Sequence, residues 1–211
     1  MERFCSRAEA GRLLAAALAH HRGAHPLLVG LAGGGVVVAA AAAEPLGGSP
    51  AAVAVVAFGP PGNPDLAIGA VSADGVPVVE AGLAARLGLS PGDIAAEVSA
   101  AAALARRRER AWRQRRGREA VGRTVIVVDD GVGGGTRMRA ALSRMRRAGA
   151  ATLVCAVPVG PPATIDILAA EADEVVCLCQ PLRFHSVADW YQDFPVVGDD
   201  EIPALLRGTP V

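Results

Sequence analysis

The chain has 211 residues, 52% of them hydrophobic but only 3% aromatic, with 21 Lys+Arg against 21 Asp+Glu. That length allows one large domain with an aliphatic core, and a net charge of zero gives no global attraction to nucleic acid or membrane. The N-terminal MERFCSRAEAGRLL is not a signal peptide and no apolar segment spans a bilayer free of Gly, Pro or charge, so a cytoplasmic protein is expected.

Strand and helix signals alternate along the whole chain, which predicts one α/β domain over residues 1–211. Residues 6 to about 19 read as an amphipathic helix with Leu13, Leu14, Ala17 and Leu18 on one face. A buried strand follows at 27–31, a turn at 32–35, and a small-residue helix at 36–46 closed by Gly47 and Gly48. A second strand is expected over 51–58, and GPPGNPD at 59–65 is a loop by its Pro, Gly and Asn content. Residues 67–72 and 76–80 read as a hairpin around 73–75. Ser90-Pro91-Gly92-Asp93 starts a helix, with a side-chain cap, proline at the first helical position and an acid in the first turn. That helix is expected to reach Gly117. Further on come a strand at 152–158, a helix at 161–170, a strand at 174–178 and a short closing helix at 199–206.

The most informative stretch is 124–141, TVIVVDDGVGGGTRMRAA. Val125, Ile126, Val127 and Val128 form the uninterrupted β-branched run of a strand buried on both faces of a parallel sheet. Asp129 and Asp130 then fall at the carboxyl edge, where open α/β sheets bind ligands. Gly131, Val132, Gly133, Gly134 and Gly135 make a loop in which backbone N–H groups can converge. A helix from about Thr136 points its positive dipole end at that loop. The implied ligand carries a phosphate for the loop and hydroxyls for the acids, as a sugar phosphate does. The acids precede the glycines, unlike the dinucleotide fingerprint, and no Gly-Lys-Ser/Thr follows, unlike a Walker A loop. The alternative is a plain strand–loop–helix turn with two solvated aspartates.

Other segments are open to two readings. Asn63 and Asp65 sit in a loop after a strand end, where binding groups project, although a Pro-rich turn also uses Asn for its own hydrogen bonds. The arginine run at 106–118 is a solvated helix face, a mobile flap contributing cations, or a nucleic-acid surface; with Trp112 the only side chain there able to stack, nucleic acid is the least favoured. Cys177 and Cys179 lie two apart on one strand face and could join His185 at a metal, or simply be buried strand cysteines. His185, Trp190 and Tyr191 could cover an acceptor or be core and surface residues, and His20, His21 and His25 near a helix end read as structural.

The 124–137 segment resembles the phosphoribosyl-pyrophosphate (PRPP) motif of type I phosphoribosyltransferases: four apolar residues, two acids, then a small-residue loop with threonine. Residues 28–47, the GPPGNPDLAIGAV run at 59–71, and Trp190-Tyr191-Gln192-Asp193-Phe194 extend the likeness over nearly the whole chain. In these the chain is similar to an uncharacterised bacterial subgroup of that family. The resemblance implies a parallel twisted sheet flanked by helices, with a small C-terminal hood at about 180–211. It further implies that Asp129 and Asp130 hold ribose hydroxyls while Gly131 to Thr136 hold the 5′-phosphate. Gly33 and Gly34 would lie in a pyrophosphate-binding turn, Asn63 and Asp65 would also contact substrate, and Mg²⁺ would arrive through the PRPP diphosphate.

Three departures bear on turnover. Ala32-Gly33 stands where that subgroup has Pro-Arg, and Ala57-Phe58 where it has Arg-Lys, so cations suited to a diphosphate are missing. In the loop Arg137 replaces a hydroxyl and is placed to hold the phosphate instead. Transfer of a phosphoribosyl group to an unknown acceptor with release of pyrophosphate is therefore one expectation. A non-catalytic phosphoribosyl or nucleotide sensor is another, beside an enzyme with a changed donor such as a ribose phosphate lacking the diphosphate. The partner in each case is a small phosphoribosyl ligand, with no membrane, and a homodimer stays open beside a monomer.

Overall fold

The computed structural model describes residues 3–112 and 120–207. Its central sheet runs, in spatial order, through Ser49–Val53 (β2), Leu27–Leu31 (β1), Thr124–Val128 (β6), Thr152–Val159 (β7) and Glu174–Cys179 (β8), every neighbouring pair parallel. The apolar runs form these strands because both faces of the sheet are covered by helices. Alternate side chains go to opposite sides. Leu28, Ile126, Val128 and Val154 pack with Leu14 and Leu18 near α1 (Arg7–Ala17) and Val38, Ala39 and Ala42 of α2 (Gly34–Leu46). Leu27, Val29, Val125, Val127, Leu153 and Cys155 pack with Met138, Ala141 and Leu142 of α5 (Thr136–Arg147). The parallel sheet flanked by helices is thus the expected fold class.

The strand expected over 51–58 divides. Its second part, β3 (Val55–Phe58), leaves the parallel sheet and pairs antiparallel with β4 (Gly69–Ser72), which pairs with β5 (Pro77–Val79) in a separate sheet. Ala54 is the switch, and its N–H donates to Glu109 Oε1 at 3.1 Å. Glu109 lies on α4 (Pro91–Ala111) and is itself paired with Arg144 of α5. A run of Ala and Val carries no local mark of this break, because the group that replaces the ladder partner comes from another element.

Helix α4 starts as expected: Ser90 and Asp93 form a reciprocal capping box with Pro91 in the first turn. It packs Ala101 and Ala102 against Phe58 and Val71 of the small sheet and Ile68 just before β4. Of its expected extension to Gly117, residues 113–117 lie outside the described residues. A short α3 (Ala81–Arg86) was not anticipated. The remaining helices, α6 (Pro162–Ala169) and α7 (Ile202–Leu206), fall within the predicted segments. Among the described residues no helix is long and apolar enough to cross a membrane.

Candidate functional site

The end of β6 delivers Asp129 and Asp130 to the carboxyl edge of the sheet in different environments. Asp129 is buried, with one carboxylate oxygen accepting from the Asp130 N–H at 3.0 Å. Burial pushes its carboxyl up to about 7, opposed by the Arg137 guanidinium and reinforced by the charge of Asp130. Asp130 is oriented from far away in sequence. Arg7 Nε, in the first turn of α1, donates to its Oδ2 at 2.7 Å with both side chains largely shielded. The same guanidinium donates to the Pro195 carbonyl at 2.6 Å and lies 3.6 Å over the Phe194 ring. Tyr191 completes the clasp by donating its hydroxyl to the Asp130 carbonyl at 2.6 Å.

After the acids, residues 131–135 wrap into the N-terminus of α5, whose N-cap Gly135 has φ +80° and which no side chain caps. The free first-turn N–H groups of an uncapped helix are an anion site. A pocket of about 310 Å³ is lined by Asp129, Asp130, Gly131, Val132, Gly133, Gly134, Gly135, Thr136 and Arg137, with Ala57, Ala67, Met138 and Val187. Thr136 Oγ1 donates to Glu80 Oε1 at 3.1 Å, and the Thr164 hydroxyl secures the loop by donating to the Gly133 carbonyl at 2.5 Å. Val187 also packs against Gly131.

The 32–35 turn meets the acids from the other side. A Cβ on Gly34 would collide with Asp130 Oδ2 and Arg7 Nε, and one on Gly35 would lie 2.8 Å from Asp129 Oδ1. Glycine is needed there for close approach. Gly33 has φ +100° and ψ −137°, a backbone region that is essentially glycine-only. An arginine could not take its place without moving the backbone. Instead Arg137 crosses from the loop and donates to the Ala32 carbonyl at 3.3 Å. Among the described residues, the pocket's one lining cation therefore lies between the loop and the turn.

The other sequence candidates separate. Ala57 lines the pocket, whereas Phe58 is buried in the small-sheet core. Asn63 and Asp65 are exposed on the β3–β4 loop and do not line the pocket. Tyr191 is buried with Phe4, and the partly buried Trp190 and Phe194 pack beside them. Cys177 Sγ donates to the Cys179 carbonyl at 3.1 Å, and among the described residues these cysteines make no metal-spaced group with His185. Within the arginine run, Arg108 pairs with Asp199, while 113–118 lie outside the described residues. A larger groove of about 600 Å³ between α4 and the β4–β5 hairpin is lined mostly by apolar side chains with Arg106. It lacks convergent polar groups, so the smaller pocket is the candidate chemical site. Arg7 and Glu80 are the residues that sequence reasoning missed; nothing local links either to the loop.

Comparison with known proteins gives the family and the fold. Two Mycobacterium tuberculosis proteins, from strains CDC 1551 / Oshkosh and H37Rv, have names that provisionally assign them as phosphoribosyl transferases; each is 37% identical over 209 residues. That covers 98% of this chain but 47% of theirs, so the chain spans about half the length of these curated relatives. The crystal structure of TT1426 from Thermus thermophilus superposes with a TM-score of 0.80 at 38% identity, covering 99% of this chain and 100% of that one. A purine phosphoribosyltransferase from Pyrococcus horikoshii Ot3, at 15% identity and a TM-score of 0.50 over 93% of this chain and 98% of its own, shares the fold. The phosphoribosyl transferase domain is matched from residue 6 to residue 193, almost from the start of α1 through the Tyr191 clasp, and the chain belongs to that family.

Proposed function

We propose that the pocket binds the phosphoribosyl moiety of PRPP or ribose 5-phosphate, and that the protein transfers it to an acceptor with release of pyrophosphate. The carrying observation is the juxtaposition, in one pocket, of an acid pair and an uncapped glycine-rich helix N-terminus. The loop N–H groups take the 5′-phosphate, and Asp129 and Asp130 accept from the ribose 2′ and 3′ hydroxyls. Arg7 is a positioning residue, because it holds Asp130 and does not itself line the pocket. Rate enhancement from such a site comes from holding the sugar and stabilising the departing diphosphate.

The donor set suits magnesium bound mainly by ligand. Mg²⁺ takes one or two carboxylates together with substrate phosphates, and the pocket offers two, one of them committed on one oxygen to Arg7. When bound through the diphosphate, the ion would neutralise leaving-group charge. Asp130 is the better placed of the pair to approach it, since Asp129 is buried.

A second reading, a phosphoribosyl or nucleotide sensor, is favoured by Ala57 lining the pocket without a cation and by the glycine-only backbone at Gly33. Among the described residues, Arg137 is the cation lining the pocket that remains for a diphosphate. Calorimetry with PRPP, ribose 5-phosphate and nucleoside monophosphates, with and without Mg²⁺, tests both. Binding of PRPP with Mg²⁺-dependent pyrophosphate release supports the transferase, and binding without turnover supports the sensor. If wild type and Asp129→Asn/Asp130→Asn bind every phosphoribosyl ligand equally, the site assignment fails.

A further inference from the structure

At the opposite edge of the sheet, three side chains converge that neither reading uses. The turn Ala19–His21 follows α1, and Glu174 opens β8. His20 Nε2 lies 3.0 and 3.2 Å from the two Glu174 carboxylate oxygens, and His21 Nε2 lies 2.9 Å from Oε2. The imidazole centroids are 4.2 Å apart, and one ligating atom from each residue falls within 4.8 Å of the others.

The spacing suits zinc. In a tetrahedral site with bonds of about 2.0–2.1 Å, neighbouring donor atoms are about 3.3–3.4 Å apart. The His–Glu174 contacts, at 2.9–3.2 Å, reach that by opening a few tenths of an ångström, and the donor atoms of the two imidazoles already lie within 4.8 Å of each other. His21 and Glu174 are partly buried while His20 is exposed, which leaves a fourth position open to water. Two imidazoles with one carboxylate suit a borderline divalent ion and disfavour Mg²⁺ or Ca²⁺, which prefer all-oxygen shells.

We propose that His20, His21 and Glu174 form a zinc site that staples the end of α1 to the start of β8. Its structural consequence follows from α1 itself. That helix is 11 residues long, about 16 Å at its usual rise, with Arg7 fastening Asp130 at its first residue. The zinc holds the far end of the same helix, away from the pocket. The assignment is independent of what the pocket binds.

The test uses untagged, chelator-treated protein titrated with Zn²⁺, with Co²⁺ as the spectroscopic probe. One Zn²⁺ per chain is expected, together with a raised melting temperature and a Co²⁺ spectrum of nitrogen and oxygen ligands. His20→Ala, His21→Ala and Glu174→Gln should each weaken binding by about tenfold or more, since even loss of a partner behind a metal ligand typically costs that much. Zinc-free melting curves identify any variant that fails to fold, and exposed His20 supplies the variant least burdened by packing. Retention of the stoichiometric Zn²⁺ in the folded triple variant would overturn the site. So would a thiolate-to-cobalt charge-transfer band, or no saturable binding by the parent protein.

Discussion

Replacing Arg7 with methionine isolates the clasp on Asp130. Methionine keeps much of the apolar stem but removes the hydrogen bond to Asp130 Oδ2, the one to the Pro195 carbonyl, and the cation over Phe194. The pair is well shielded, with side-chain exposures of 8% and 14%, so surface screening discounts it little. Breaking a buried pair by removing one partner costs about 3–5 kcal/mol, because the other charge is left uncompensated. For a domain of this size that is a fall in Tm of about 6–20 °C. Ribose 5-phosphate affinity should fall too, by roughly one charged hydrogen bond of about 1.5–3 kcal/mol, or about 10–150-fold in Kd. Scanning fluorimetry and calorimetry read the two effects separately. Adding Asp130→Asn should then cost less stability than it does alone, since the stranded charge is gone. A melting temperature within about 2 °C of the parent, with strictly additive effects, would refute the buried-clasp argument.

Arg137→Ala should weaken ribose 5-phosphate by about 10-fold or more but leave unphosphorylated ribose nearly unchanged, with the difference shrinking at high salt; equal losses for both sugars would remove Arg137 from the phosphate. Gly34→Ala places a methyl between Arg7 and Asp130, so it should reproduce much of the Arg7→Met defect in ligand titrations. Asp129 has a folded pKa of about 7, above its ordinary 3.8, so the native state holds a proton that the unfolded chain has released between those values. Its contribution therefore declines as pH rises from about 4 to about 7. Asp129→Asn should stabilise the protein relative to the parent above that window, with the advantage shrinking as pH falls through it; a pH-independent gap in melting temperature would show that Asp129 is not held protonated.

The candidate site was legible where its chemistry is contiguous. The strand, the two acids, the glycine loop and the helix start occupy one run from Thr124 to Arg137, and the Ser90–Asp93 capping box likewise spans only four residues. Such features are written in nearest-neighbour order because a hydrophobic period, a cap or a positive-φ turn is satisfied within a few residues. The break at Ala54 was not legible, because Glu109 supplies the acceptor from 55 positions away. Tyr191 looked as much like part of an acceptor hood as like core, and its packing with Phe4 and bond to the Asp130 carbonyl place it in the clasp.

Residue type and order along the chain suffice for the α/β class, the buried central strands and the acid-glycine loop, since backbone propensity and burial period act locally. Pairings across the fold carry no such mark. Arg7 reaches Asp130 over 123 positions, Arg137 reaches Ala32 over 105, and His20 reaches Glu174 over 154. An arginine or histidine on a helix end reads the same whether it faces water or a carboxylate. The parallel sheet settles which it is, bringing the ends of distant strands and helices to a common edge, where desolvation makes each charge depend on the partner beside it.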